Sequence, residues 1–72
     1  MAEPQQIRVT VNGAAEPVPA GLTVLDLLRR LQVDPERVAV ELDREILNRK
    51  RWGETRLQDG STVEIVQFVG GG

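Results

Sequence analysis

The chain has 72 residues, a formal net charge of −2, and neither cysteine nor histidine. Such a length makes one domain with a modest core, burying about 60% of the surface that the unfolded chain exposes. The composition excludes disulfides, thiolate metal sites, histidine-based triads and the usual general base near neutral pH.

Lys50 is the single lysine, so a self-contained enzyme would have to run on Asp, Glu, Ser and Thr, and none of these cluster in the sequence. The acidic balance argues against a general nucleic-acid binder. Met1 to Gln6 is polar, carries Glu3 and Pro4, and does not read as a signal peptide. No apolar run elsewhere is long enough to span a bilayer, so no membrane role is expected. The expectation is one soluble cytoplasmic domain over 1–72, with an N-terminal extension at 1–5 and no metal. The missing cysteines fit a reducing compartment.

Ile7-Arg8-Val9-Thr10-Val11 alternates apolar and polar residues, the pattern of a half-buried strand. Asn12-Gly13 follows, a pair that takes the left-handed conformations of a tight hairpin turn. The return segment, Ala14 to Pro19, carries Pro17 and Pro19, and a short strand at a sheet edge is expected there. After Gly21 a helix begins. Thr23 is its N-cap, and Asp26, three residues on, completes a capping box. Val24, Leu27, Leu28 and Leu31 fall on one face with Leu25 beside them, and Arg29 and Arg30 sit where the helix dipole favours cations. Asp34-Pro35 is expected to end the element.

Val38, Val40 and Leu42 alternate with Ala39 and Glu41 in a third strand. Asp43-Arg44 turns the chain into a brief return strand, Glu45 to Leu47. Asn48 to Glu54 reads as a loop or a single helical turn. Asp59-Gly60 is a further turn. The last strand, Thr62 to Val69, is the most apolar and is placed centrally, with Val63, Ile65 and Val69 on one face and Thr62, Glu64, Val66 and Phe68 on the other. The order β-β-α-β-(β)-β, with the first and last strands parallel in the middle and joined by a right-handed crossover, is α+β and of the ubiquitin-like β-grasp arrangement. Its core would hold Ile7, Val9, Val11, the helix leucines, Val38, Val40, Val63 and Ile65.

Gly70, Gly71 and Gly72 close the sequence. Three glycines at three set positions arise by chance roughly once in 3,000 chains at ~7% glycine usage, although termini also fray. Without Cβ atoms, such an end threads a narrow slot and leaves its final carbonyl open to attack. The Gly72 carboxylate is then the special chemical handle of a chain without Cys or His.

Together the alternating first strand, Asn-Gly hairpin, capped leucine-rich helix, Leu42 to Leu47 hairpin, Trp52 and the run Val63-Glu64-Ile65-Val66-Gln67-Phe68-Val69-Gly70-Gly71-Gly72 resemble the ThiS family of thiamine-biosynthesis sulfur carriers, from about Ile7 onward. The resemblance implies that Gly71 and Gly72 match the family's terminal diglycine, in a flexible tail over 70–72. An E1-like adenylyltransferase (ThiF type) would use ATP to adenylate Gly72, with no cofactor bound by the carrier itself. Sulfur from a cysteine desulfurase route would displace AMP and leave a thiocarboxylate. A thiazole synthase (ThiG type) would draw that sulfur into the thiazole ring of thiamine. The chain would be a protein co-substrate, not an enzyme.

Other residues carry two readings each. Val66 and Phe68, with Gly70, would form a docking patch for the activating enzyme, or Val66 and Phe68 would pack beneath the Asn48 to Leu57 loop. Arg49, Lys50 and Arg51 suit a solvated face or a phosphate contact. Trp52 suits a loop anchor or a stacking platform. The rival functions are a carrier for molybdopterin, cysteine or other products, a protein modifier joined through Gly72, and a plain interaction module.

Overall fold

The structure, a computed structural model, describes residues 5–68. The strands are β1 (Gln6–Val11), β2 (Ala14–Pro19), β3 (Val38–Leu42), β4 (Glu45–Ile46) and β5 (Thr62–Gln67), and the helix is α1 (Val24–Arg30). Two 3-10 turns, Pro35–Arg37 and Arg49–Arg51, lie in the connections. The sheet runs β2-β1-β5-β3-β4, so the first and last strands lie together in the middle. They are parallel, Thr10 facing Thr62 and Val11 facing Val63, while the other strand pairs are antiparallel. This is the β-grasp order expected from the sequence.

The β2 strand is not short. All six of its residues pair with β1, at the edge as expected. The prolines are tolerated because of register. Arg8, opposite Pro17, turns its backbone away from β2: its N–H donates to Asp59 Oδ1 at 2.8 Å and its carbonyl accepts from Gly60 N–H at 2.7 Å. The nitrogens of Pro17 and Pro19 therefore belong to the open side of β2, where no ladder bond is lost and further pairing is blocked.

The α1 cap forms as read. Asp26 N–H donates to Thr23 Oγ1 at 3.1 Å, and Thr23 N–H donates to Asp26 Oδ2 at 3.3 Å. The helix stops at Arg30, earlier than the Asp34-Pro35 end expected. Gln32 takes a left-handed φ of 59°. Val33 N–H then donates to the Leu28 carbonyl at 2.9 Å and Gln32 N–H to the Arg29 carbonyl at 3.0 Å, the two bonds of a Schellman end. Asp34 instead caps the first 3-10 turn through Glu36 N–H at 2.9 Å.

Val9, Val24, Leu27, Leu28 and Val63 are fully buried between α1 and the sheet, with Val18, Val38 and Val40 beside them. Ile7, Leu31 and Ile65, expected in the core, are only partly buried at its margin. Trp52 and Leu57 join the core from the long connection after β4. Leu25 N–H bonds the Trp52 carbonyl at 3.1 Å, and Val24 N–H bonds the Thr55 carbonyl at 2.9 Å, tying this connection to the helix start.

Of the extension expected at 1–5, only Gln5 is among the described residues, its carbonyl accepting from Ala20 N–H at 3.0 Å. The glycine tail, 70–72, and Val69 lie outside the described residues.

Candidate functional site

Side chains alternate along β5, so one set joins the core and the other faces away from α1. Val63 is buried, whereas Val66 is 54% and Phe68 53% exposed. Phe68 lies just beyond the strand and is fixed by its N–H bond to the Arg37 carbonyl at 2.8 Å. Across the same outer face, Ala39 stands opposite Val66, and Glu41 stands between Glu64 and Ile46. Ile46 is 80% exposed. Val66, Phe68 and Ile46 thus give this face an apolar character next to the sequence that leads to Gly72. Val66 and Phe68 are half exposed and are not buried beneath the Asn48 to Leu57 loop, although Phe68 borders a groove shared with Asn48 and Arg49.

The sequence analysis gave Ile46 no role. The available signal was its register: strand alternation puts Ile46 opposite Glu41, on the outer face, where a polar residue is the norm. The hairpin carrying it is tight. Asp43 and Arg44 have φ of 51° and 74°, as a two-residue primed turn requires. Asp43 is further locked to β5, its N–H donating to the Thr62 carbonyl at 2.7 Å and its Oδ1 accepting from Thr62 N–H at 2.9 Å.

A shallow groove of about 330 Å³ is lined by Ala39, Ile46, Leu47, Arg49, Trp52 and Phe68 among others. The Trp52 indole is 3% exposed and donates from Nε1 to the Leu47 carbonyl at 3.0 Å, so it anchors the loop and is not a free stacking platform. The Arg49 guanidinium lies 5.2 Å from the indole centroid and 3.4 Å from Glu36. Arg51 pairs with Glu54 at 3.0 Å. These basic residues form a solvated face with exposed ion pairs of small energetic weight.

Among the described residues no group of three or more His, Cys, Asp or Glu is placed to hold a metal, and no helix is long and apolar enough to cross a membrane. Among the described residues, Asp26 is the one carboxyl with a clear displacement. The Thr23 backbone N–H, then the Thr23 hydroxyl and the Arg29 charge, hold it below its ordinary value. That serves the helix cap and lies away from the apolar face. The expected working residues Gly70, Gly71 and Gly72 lie outside the described residues.

The sheet order, the single packed helix and the exposed face at the end of β5 define a ubiquitin-like β-grasp domain. The crystal structure of the thiamine biosynthesis protein ThiS from Geobacter metallireducens superposes on it with a TM-score of 0.80 at 40% identity, covering 92% of this chain and 100% of that one. The chain belongs to the ThiS family, whose sequence model matches residues 2–72. The sulfur carrier protein ThiS of Bacillus subtilis is 44% identical over 50 residues, 69% of this chain and 76% of that protein. A thiazole synthase of Paramagnetospirillum magneticum is 38% identical over 66 residues, 92% of this chain but only 20% of that protein. The chain therefore spans about a fifth of the thiazole synthases it matches.

Proposed function

We propose that this chain is a sulfur carrier for thiazole formation in thiamine biosynthesis, with the Gly72 carboxylate as its working group. The observation that carries the reading is the family match, which runs through residue 72 on a fold that exposes Val66 and Phe68 just before the glycines. A carboxylate at neutral pH is a poor electrophile, so it must first be activated. An E1-like adenylyltransferase joins it to AMP from ATP, releasing pyrophosphate. The outer sulfur of a persulfide supplied through a cysteine desulfurase then attacks the acyl adenylate and expels AMP. A thiol from outside this cysteine-free chain cleaves the resulting acyl disulfide, becoming oxidised to a disulfide and leaving a thiocarboxylate in which one oxygen has become sulfur. Gly71 and Gly72 let the end enter a narrow active site.

The acceptor in this reading is a thiazole synthase. Support comes from the proteins of that name in Paramagnetospirillum magneticum and Magnetococcus marinus, each of which contains a segment similar to 92% of this chain. The chain acts as a co-substrate in the cytoplasm, where ATP and reduced sulfur are available. Val66, Phe68 and Gly70 meet the activating enzyme, and Ile46 extends that contact.

Intact-mass measurement tests this reading. The protein is incubated with ATP, a sulfur source and an E1-like enzyme from the same organism. The expected result is the mass gain of one oxygen replaced by sulfur, lost when Gly72 is deleted. No gain with an enzyme active on another carrier refutes the reading. Gly72 found joined to lysines of other proteins would mark a modifier instead.

A further inference from the structure

β1 ends at Val11, but β5, parallel beside it, continues to Gln67. Backbone polar groups along a strand alternate between its two edges. On β5 the even-numbered groups face β3, as the Phe68 N–H bond to Arg37 shows. The odd-numbered groups face β1: the Val63 carbonyl accepts from Asn12 N–H at 2.9 Å. At Ile65 β1 has turned away, and the Asn12 side chain stands in for it. Asn12 Oδ1 accepts from Ile65 N–H at 2.7 Å, and its Nδ2 donates to the Ile65 carbonyl at 3.2 Å. Gln67 is next on that edge. It is exposed, and among the described residues its N–H and C=O have no hydrogen-bond partner.

A strand edge with free N–H and C=O groups is a template for another strand. We propose that the open edge at Gln67 receives an extended main-chain segment of the enzyme that activates Gly72, adding a strand to β5. The identity of this occupant rests on the carrier reading. Reach supports it: Gly72 is five residues beyond Gln67, and an extended chain spans at most about 3.6 Å per residue, so an active site holding Gly72 lies within about 18 Å of this edge. Main-chain pairing suits a glycine-rich end, because it recognises backbone where side chains are missing. Asn12 sets the first rung by occupying Ile65, so the added strand begins at Gln67.

Amide hydrogen exchange, measured on the full chain alone and with the E1-like enzyme and ATP, tests this. Exchange at Gln67 is expected to slow at least about tenfold in the complex. Phe68, already bonded to Arg37 in the free protein, is the internal reference. Two variants accompany it. Gln67→Pro removes the N–H without removing any bond of the free protein and lowers kcat/KM for adenylation about tenfold. Gln67→Ala keeps the N–H and stays within about twofold. Complex formation and the sulfur mass gain with unchanged Gln67 exchange overturn the inference and leave the carrier reading standing. Equal losses in both variants also overturn it, because the side chain would then be the recognised group. Absence of both complex and mass gain overturns the two together. If Gln67→Pro fails to fold, exchange in the unaltered chain decides.

Discussion

Replacing Trp52 by Ala is expected to bring the domain to the edge of unfolding. Trp52 is 3% exposed in a core otherwise made of Val and Leu. Removing a buried Trp side chain costs about 3–5 kcal/mol through lost transfer energy and the cavity left behind. The indole N–H bond to the Leu47 carbonyl goes with it, worth about 1 kcal/mol and overlapping that range. A domain of 72 residues, at about 0.05–0.15 kcal/mol per residue, has about 4–11 kcal/mol in total. The substitution thus removes about a quarter of the stability or more. Trp52→Phe keeps most of the apolar area and forfeits the hydrogen bond, so about 1–2 kcal/mol is expected. Urea unfolding followed by far-UV circular dichroism measures both, since the tryptophan signal is lost in each variant. A Trp52→Ala loss below about 1 kcal/mol would refute the assignment of Trp52 as the anchor of this loop.

Two further outcomes follow from the same geometry. Phe68→Ala and Ile46→Arg change exposed side chains, so stability should stay within about 0.5 kcal/mol, while affinity for the activating enzyme, measured by calorimetry, falls about tenfold or more. Asp26→Ala should lower stability above the ordinary carboxyl value of 3.8 and matter less in acid. The folded-state pKa is depressed, so the carboxylate's contribution is present above the unfolded value and is lost as pH falls through the folded one. Denaturation midpoints of both proteins from pH 2 to 7 would show the two curves converging at the acid end, and parallel curves throughout would contradict this.

Local chemistry made most of the fold legible. Ile7-Arg8-Val9-Thr10-Val11 could bury one face only as a strand, and Thr23 with Asp26 marked where α1 begins. Its end was misread because the left-handed residue is Gln32, not the glycine that usually announces such a turn. Pro17 and Pro19 suggested a short strand, and only the register with Arg8 explains why six residues pair. Val18 and Leu57 entered the core through tertiary packing that no local period reveals. At the candidate site, Val66 and Phe68 were legible from β5 alternation. Asn12 was read only as a turn residue, because its hold on Ile65 spans 53 positions in sequence. The glycine end was legible as chemistry alone.

The central pairing of β1 with β5 also governs when this domain is able to form during synthesis. Thr10 faces Thr62 and Val11 faces Val63, so the middle of the sheet joins segments made about fifty residues apart. A nascent chain still lacking β5 has the β1–β2 hairpin and α1 but no strand beside β1 on its inner edge, and no Val63 to fill the core. Native structure must wait until β5 has emerged from the ribosome. Translation pauses before that point would lengthen exposure of the apolar helix face, and pauses after it would not.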